Sequence, residues 1–301
     1  MNNIKLATRN SPLALKQANI VSDYLIENKV FDKVSLLPMT TAGDKVDSQT
    51  FKRNGGKGLF LKELENSLLS KDADIAIHSM KDVPAKLDSR FSVSTIMKRE
   101  DPRDVFISEK YKRLADIESG VIGSSSPRRQ AMVKNKYCKI ETREIRGNIQ
   151  TRLKKLKDNQ LDGIILAKAG LERMNLSDLI TESLNLNDFI PSPGQGILCL
   201  ECLSTSENII KKIKKIVDIN TEICSVAERL FAENIDGDCL SPIGAHAVIK
   251  NNQLTLTGYV GSLDGKDYIK NKISGRKDDY IKLSNKLSDV FIKLGAKRML
   301  K

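Results

Sequence analysis

The segment DIAIHSMKDVP, residues 74–84, decides the fold. Residues 74–77 are largely apolar and typical of a buried strand, and polar side chains follow directly where that strand ends. In an α/β protein, polar groups at the carboxyl end of a strand face the crevice in which ligands bind. The segment therefore predicts a strand that carries Asp82 either to a ligand or to a turn before Pro84, where an aspartate also caps the backbone.

Strands and helices alternate on both sides of this segment. Strands are predicted at residues 4–8, 34–41, 74–80 and 91–97, with helices from Ser11-Pro12 onward and at 59–69, and this order is typical of a parallel sheet with crossover helices. The polar, glycine-bounded stretch 42–56 is predicted to be a mobile loop over a site. The alternation begins again near residue 121, where Ser126-Pro127 opens a helix as Ser11-Pro12 does. This similarity indicates a weak repeat that is visible in architecture and not in residue identity.

The end of the chain has a different pattern. Residues 245–250, 253–261 and 268–274 are predicted to form an antiparallel meander, and apolar residues stripe one face of a last helix within 283–294. The sequence therefore predicts two α/β domains and a small C-terminal α+β domain.

Composition restricts the partners and the compartment. The 301 residues include 50 Lys and Arg against 38 Asp and Glu, and the net charge of +12 favours an anionic partner, whether nucleic acid, an acidic membrane, or a polycarboxylate or phosphate. No apolar run of about 18 residues predicts a membrane span, and the first residues lack the features of a secretory signal. Five cysteines without framework spacing predict a reducing compartment, the cytoplasm. Cys199 and Cys202 lie three apart on a predicted strand and point to opposite faces, so no metal site is expected there.

Six arginines are predicted at strand ends or in the first turns of helices. Taken singly, each is either a solvated surface charge or part of an anion site, because guanidinium groups match carboxylates and phosphates. Arg128 and Arg129 occupy the first turn of a helix, where cations oppose the helix dipole, so local stability does not explain them. The set comprises Arg9, Arg128, Arg129, Arg146, Arg152 and Arg173.

Cys239 and the two histidines are the remaining candidates for chemistry. Cys239 lies in a loop bounded by Gly237 and Pro242, where it is either an ordinary cysteine or an accessible nucleophile or attachment point. His78 and His246 are too scattered for a catalytic triad or a zinc site, and each is predicted to be a structural hydrogen-bonding residue.

Eight stretches taken in order closely resemble the porphobilinogen deaminase (hydroxymethylbilane synthase) family. The resemblance implies two domains built like the halves of type II periplasmic binding proteins around a cleft, and a small α+β domain. It places the first domain at residues 1–96 and 197–216, the second at 97–196 and the third at 217–301. The stretches are ATRNSPLALKQ (7–17), GGKGLFLKELE (55–65), DIAIHSMKDVP (74–84), REDPRDVFIS (99–108), IRGNIQTRL (145–153), DGIILAKAGLERM (162–174), SPGQGILCLEC (192–202) and DGDCLSPIGAHA (236–247).

The resemblance also implies a transferase of tetrapyrrole (haem) biosynthesis. Such enzymes condense four porphobilinogens head to tail, release ammonia and hydrolyse the chain to hydroxymethylbilane. They work on a dipyrromethane cofactor held by a thioether, need no metal, and act as cytoplasmic monomers without nucleic acid or membrane partners. Asp82 matches the catalytic aspartate and Cys239 the attachment cysteine, although Asp238, Leu240 and Ser241 depart from the usual Gly-Gly-Cys-Gln-Val-Pro loop. Further cofactor contacts match Lys81, Asp82, Ser126, Arg128, Arg129 and Arg146. Substrate contacts match Arg9, Ser11, Arg53, Phe60, Arg146, Arg152, Arg173 and Gln195.

Two other functions fit parts of the sequence. A non-enzymatic, two-lobed anion-binding or sensor protein explains the cleft and the arginines, but not a loop thiol together with a carboxylate. A nucleic-acid-binding protein fits the charge of +12, but aromatic residues are few and no helix-turn-helix or RNA-binding motif is present.

Overall fold

The structure is a computed structural model that describes residues 3–41, 61–158, 161–238 and 240–300. The chain forms two compact units, Met1–Arg99 with Ile197–Glu222 and Glu100–Gly196 with Ile223–Lys301. The predicted loop at residues 42–56 lies outside the described residues, and the three-domain division stays a prediction. None of the described helices is long and apolar enough to cross a membrane.

Thirteen strands and nine helices occur in the described part of the chain. The strands are β1 (Asn3–Arg9), β2 (Lys33–Met39), β3 (Ile75–Ser79), β4 (Phe91–Thr95), β5 (Asp104–Ile107), β6 (Gly120–Gly123), β7 (Ile140–Arg143), β8 (Gly163–Ala167), β9 (Glu182–Ser183), β10 (Leu198–Leu203), β11 (Ile243–Lys250), β12 (Gln253–Gly261) and β13 (Tyr268–Arg276). The helices are α1 (Pro12–Glu27), α2 (Lys62–Leu69), α3 (Pro127–Lys136), α4 (Ile149–Asp158), α5 (Lys168–Arg173), α6 (Glu207–Ile213), α7 (Ile219–Asn234), α8 (Tyr280–Lys293) and α9 (Ala296–Met299).

The first unit is built on a five-stranded sheet in the order β2-β1-β3-β10-β4. Strand β1 is parallel to β2 and β3, whereas β10 is antiparallel to β3 and β4. Successive residues of β1 point to opposite faces, so Leu6 packs in the core that contains Val21 of α1, and Ala7 in the core that contains Leu64 of α2. Both faces of the central strands are therefore buried, which explains the apolar segment before His78.

The second unit contains a sheet of the same design, in the order β7-β6-β8-β5-β9. Strand β6 is parallel to β7 and β8, and β5 is antiparallel to β8 and β9. Each strand of this sheet has the same direction as the strand at the equivalent position of the first sheet, so the predicted repeat of architecture is confirmed.

The same unit contains an antiparallel sheet in the order β11-β12-β13. The ring of Phe231 on α7 meets the ring of Phe291 on α8 edge to face, with centroids 4.9 Å apart. Both rings lie over Gly258 of β12, where an added Cβ atom would lie 2.6 Å from Phe231. The predicted fold class, two α/β parts and a small α+β part, is confirmed.

The expectation of parallel sheets is only partly correct. It holds for the first three strands of each sheet, but β5 and β10, which fill equivalent positions, are antiparallel to their neighbours. Each of these two strands directly follows the point where the chain passes from one unit to the other. No crossover helix within the same sheet precedes them, so the rule for strand-helix-strand units does not apply. Strands β5 and β9 were also not predicted, and β9 is only two residues long.

Candidate functional site

A cavity of about 60 Å³ lies in the first unit, at the carboxyl ends of β1 and β3 and beside the start of α1. The start of α1 is fixed locally, because the Ser11 hydroxyl accepts a hydrogen bond from the Ala14 amide at 3.3 Å and Pro12 is the first helical residue. The amino end of this helix therefore adds partial positive charge to the cavity. The polar residues that line the cavity are Arg9, Ser11, Gln17, His78, Ser79 and Asp82.

Asp82 ends a single 3₁₀ turn, Met80–Asp82, that follows β3. The turn is anchored by buried Met80, whose amide donates to Ile197 O at 2.9 Å, and by buried Val83, whose amide donates to Met80 O at 3.1 Å. The Asp82 carboxylate is exposed and makes no hydrogen bond or ion pair within the described part of the chain. The alternative that Asp82 caps its own turn is therefore not what the structure shows. Half-buried Lys81 precedes it in the same turn.

His78 lines this cavity and contacts a residue that the sequence interpretation missed. Its Nε2 atom lies 2.8 Å from Oε2 of Glu201, and both side chains are buried. The prediction that His78 is a hydrogen-bonding residue is confirmed. Glu201 is the only charged residue in the strand LCLECL, and this contrast was the available signal.

The second unit contains a buried ionic cluster centred on Asp104, at the start of β5. Asp104 is fully buried, and its Oδ2 accepts from Arg128 Nη1 at 2.7 Å. Its Oδ1 accepts from Arg129 Nη2 at 2.8 Å and Nε at 3.0 Å, and from Gln195 Nε2 at 2.8 Å. Arg128 also donates to Ile190 O at 2.7 Å. The sequence interpretation missed Asp104, because nothing local distinguishes it from its acidic neighbour Asp101.

The electrostatics of this cluster are set by burial and by two positive charges. Burial alone would raise the pKa of Asp104, but Arg128 and Arg129 outweigh it and hold that pKa well below its usual range. Burial lowers the pKa of Arg129, and the charge of Asp104 opposes this effect. Two guanidinium groups share one carboxylate, so one positive charge remains uncompensated by the ion pairs found within the described residues.

Helix α3 begins beside this cluster. The hydroxyl of Ser126 caps the helix by accepting from the Arg129 amide at 3.4 Å, and Pro127 is the first helical residue. The cap places both arginines in the first turn, as predicted, and turns their side chains onto Asp104. The Asp104 carboxylate, and not the helix, stabilises these two buried cations at the helix start.

Arg9 lines the cavity of the first unit, and the remaining three predicted arginines lie at separate points of the second unit. Arg146 forms an ion pair with Glu144 at 2.6 Å, and Arg152 donates to Gly147 O at 2.9 Å. The Nε atom of buried Arg173 lies 2.8 Å from Glu100 Oε2, which is within ion-pair distance, but the two groups do not have hydrogen-bond geometry. The Nη2 atom of Arg173 donates to Gly196 O at 3.3 Å.

Three predicted site residues, Arg53, Phe60 and Cys239, lie outside the described residues. Around Cys239 the structure describes a polar turn, in which Asp238 Oδ1 accepts from the Leu240 amide at 3.0 Å and the Ser241 hydroxyl at 2.8 Å. Asp238, which departs from the family pattern, therefore contributes to the local structure of the loop.

The first unit is therefore an α/β structure with an exposed carboxylate just after its central strand β3, and the second is an α/β structure with a buried arginine cluster at the start of β5. The chain matches the family model described as "Porphobilinogen deaminase, dipyromethane cofactor binding domain" over residues 4–211, and "Porphobilinogen deaminase, C-terminal domain" over residues 222–293. The chain belongs to the porphobilinogen deaminase family. It is 42% identical over 301 residues to the porphobilinogen deaminase of Francisella philomiragia, covering 100% of this chain and 99% of that protein. It is 40% identical to that of Thiobacillus denitrificans, covering 100% and 98%.

Solved structures of lower similarity also match. The methionine-binding protein MetQ has a TM-score of 0.44 and 10% identity, with coverage of 71% of this chain and 89% of that chain. The periplasmic VFT2 domain of BvgS from Bordetella pertussis has a TM-score of 0.43 and 13% identity, with coverage of 76% and 92%.

Proposed function

We propose that this chain is a transferase of tetrapyrrole biosynthesis that joins four porphobilinogens head to tail, releases ammonia and hydrolyses the product to hydroxymethylbilane. The observation that carries the proposal is the exposed Asp82 carboxylate, without a partner in the described residues, on an anchored turn, in a chain of the porphobilinogen deaminase family. A carboxylate on an anchored turn, without an ion-pair partner among the described residues, is suited to stabilise a cation.

Asp82 supplies the electrostatic part of the reaction. Loss of ammonia from porphobilinogen leaves an azafulvenium cation, whose positive charge spreads to the pyrrole nitrogen. A carboxylate within hydrogen-bond reach of that N–H stabilises the charge as it develops. The buried anchors Met80 and Val83 hold the backbone of the turn that carries Asp82, so little backbone reorganisation is needed in each step.

The dipyrromethane cofactor is proposed to be held by Cys239 through a thioether and by Lys81, Asp82, Ser126, Arg128, Arg129 and Arg146. Its function is to offer the pyrrole carbon on which the product grows. The donor set fits this group, because its acetate and propionate side chains are anions and the Asp104 cluster carries one excess positive charge beside a helix start.

The proposed substrate contacts are of two kinds. Arg9 and Ser11 line the cavity with Asp82, and Arg146 and Arg152 are half-buried, so these side chains are suited to direct contact. Arg173 and Gln195 are buried and bonded within the protein, which supports an indirect role in which they hold neighbouring groups in place. Arg53 and Phe60 complete the proposed set. We further propose a cytoplasmic location, since the five cysteines have no framework spacing, and a monomer, as the family resemblance implies.

The test combines intact-protein mass spectrometry with a porphobilinogen turnover assay. The purified chain is expected to carry an addition equal to two linked pyrrole units, which Cys239→Ser removes. Asp82→Glu is expected to keep the addition and turn over slowly, and Asp82→Ala to lose at least about 100-fold in kcat. Near-normal turnover of Asp82→Ala would remove the assigned role. An unmodified wild-type chain that binds porphobilinogen without turnover would instead identify a non-enzymatic binding protein.

A further inference from the structure

His78 and Glu201 form a buried pair, and His78 lines the same cavity as Asp82. The Nε2 atom of His78 lies 2.8 Å from Glu201 Oε2. The two side chains are only 4% and 1% exposed. Strand pairing fixes their approach, because Cys199 of β10 pairs with His78 and Glu201 pairs with Ala76, two residues along on the same face.

Stability does not explain why this strand carries a carboxylate. A buried ion pair contributes little compared with apolar side chains of similar volume, because both groups lose their hydration. The second carboxylate oxygen, Glu201 Oε1, is buried and makes no hydrogen bond among the described residues, so the group is not fully compensated. A half-satisfied buried carboxylate is costly and calls for a functional reason.

The surroundings of the pair are rich in carboxylates. Glu65 of α2 faces the pair, and burial, followed by the negative charge of Glu201, raises the pKa of Glu65. Asp82 and the cation Arg9 share the cavity wall with His78. This arrangement resembles the carboxylate-imidazole pairs in which the carboxylate fixes the tautomer and stabilises the protonated ring.

We propose that His78 is a second proton-transfer group of this cavity and that Glu201 is the positioning residue that orients it. This inference rests on the proposed function. In each condensation the C–N bond of the protonated aminomethyl group breaks, and ammonia leaves with the bonding electrons. A C–C bond then forms from the methylene carbon to the acceptor pyrrole, and the acceptor carbon loses its proton while its C–H electrons restore the aromatic ring. Nδ1 of His78 accepts that proton and returns it to ammonia, so ammonium is the net product.

The first test reads the tautomer directly and needs no turnover. The chain has two histidines, so His246→Gln assigns the ¹⁵N imidazole signals. The proposal expects His78 in neutral protein to carry its proton on Nε2, towards Glu201, with Nδ1 unprotonated, and expects Glu201→Gln to disturb this pattern. A proton found on Nδ1 would overturn the proposal, because that nitrogen would then be unable to accept another.

The second test compares turnover in variants that retain the cofactor mass. His78→Ala is expected to lower kcat by at least about 100-fold with little change in KM, Glu201→Gln by about tenfold, and the control His246→Gln not at all. Added imidazole is expected to restore part of the activity of His78→Ala, whereas pyrazole, of the same size but far less basic, is not. Equal rescue by both would show that the ring only fills space, and would overturn the proposal. His78→Asn replaces His78→Ala if the latter does not fold. An inactive wild-type chain would refute the proposed function and leave the tautomer measurement interpretable.

Discussion

Asp104→Asn is expected to destabilise the second unit strongly, because it removes the one carboxylate that two buried arginines share. Asp104 accepts three arginine N–H groups and one amide N–H group, all between 2.7 and 3.0 Å. An asparagine side chain is close in shape, but its NH₂ group would face donors on whichever side it points. The substitution therefore leaves the charges of Arg128 and Arg129 without a counter-ion. It also places the NH₂ group of the asparagine against an N–H donor that Asp104 accepted.

The expected cost is about 3–5 kcal/mol, the range for removing one partner of a buried ion pair. Urea unfolding followed by circular dichroism measures it at pH 7. Asp101→Asn is the matched control, because Asp101 lies three residues away and pairs with Arg103 and Lys168 at a more exposed position. Its loss is expected to cost no more than about 1 kcal/mol.

The pH dependence gives a second check on the same variant. The pKa of Asp104 is held below its usual range in the folded state. The stabilisation is therefore complete above the unfolded pKa of about 3.9 and is lost as the pH falls towards the folded value. The difference in the free energy of unfolding between wild type and Asp104→Asn is expected to be constant above about pH 5 and to become smaller below about pH 4. Equal stability of wild type and Asp104→Asn at pH 7 would refute the argument that Asp104 holds the two arginines.

Two further outcomes are expected. Cys239→Ser, which is expected to lack the cofactor, should unfold several degrees below the loaded wild type in calorimetry. The reason is that a covalent ligand whose carboxylates bind only the folded state stabilises that state, and 1 kcal/mol corresponds to about 2–4 °C. Equal melting temperatures of the two proteins would contradict this. Gly258→Ala should lower the free energy of unfolding in urea by about 1–3 kcal/mol, because the new Cβ would lie 2.6 Å from the Phe231 ring. Thr257→Ala, at the neighbouring position, should lower it less. Equal losses of stability in the two variants would show that the packed rings tolerate the methyl group.

Local patterns predicted most elements of the fold. The Ser-Pro pairs at residues 11–12 and 126–127 marked two helix starts correctly, because a cap and a first-turn proline act within a few residues. The antiparallel direction of β5 and β10 was not predictable in this way, because strand direction depends on how the chain enters a sheet and not on the strand's own composition.

The candidate site divides in the same manner. Asp82 was identified from the end of an apolar strand, and the arginines from their places at helix starts and strand ends. Whether Asp82 caps its turn was left open by the sequence, and the structure decided it, since the described residues offer that carboxylate no partner.

The sequence by itself determined the class of fold, the family and the positions of the exposed acid and of the basic residues. Only the tertiary structure showed that Asp104 neutralises half the charge of Arg128 and Arg129, and that Glu201 contacts His78. These partners are separated by 24, 25 and 123 residues along the chain. Hydrophobic periodicity reports which face of an element is buried, but it does not report which buried charge on another element will lie within hydrogen-bonding distance.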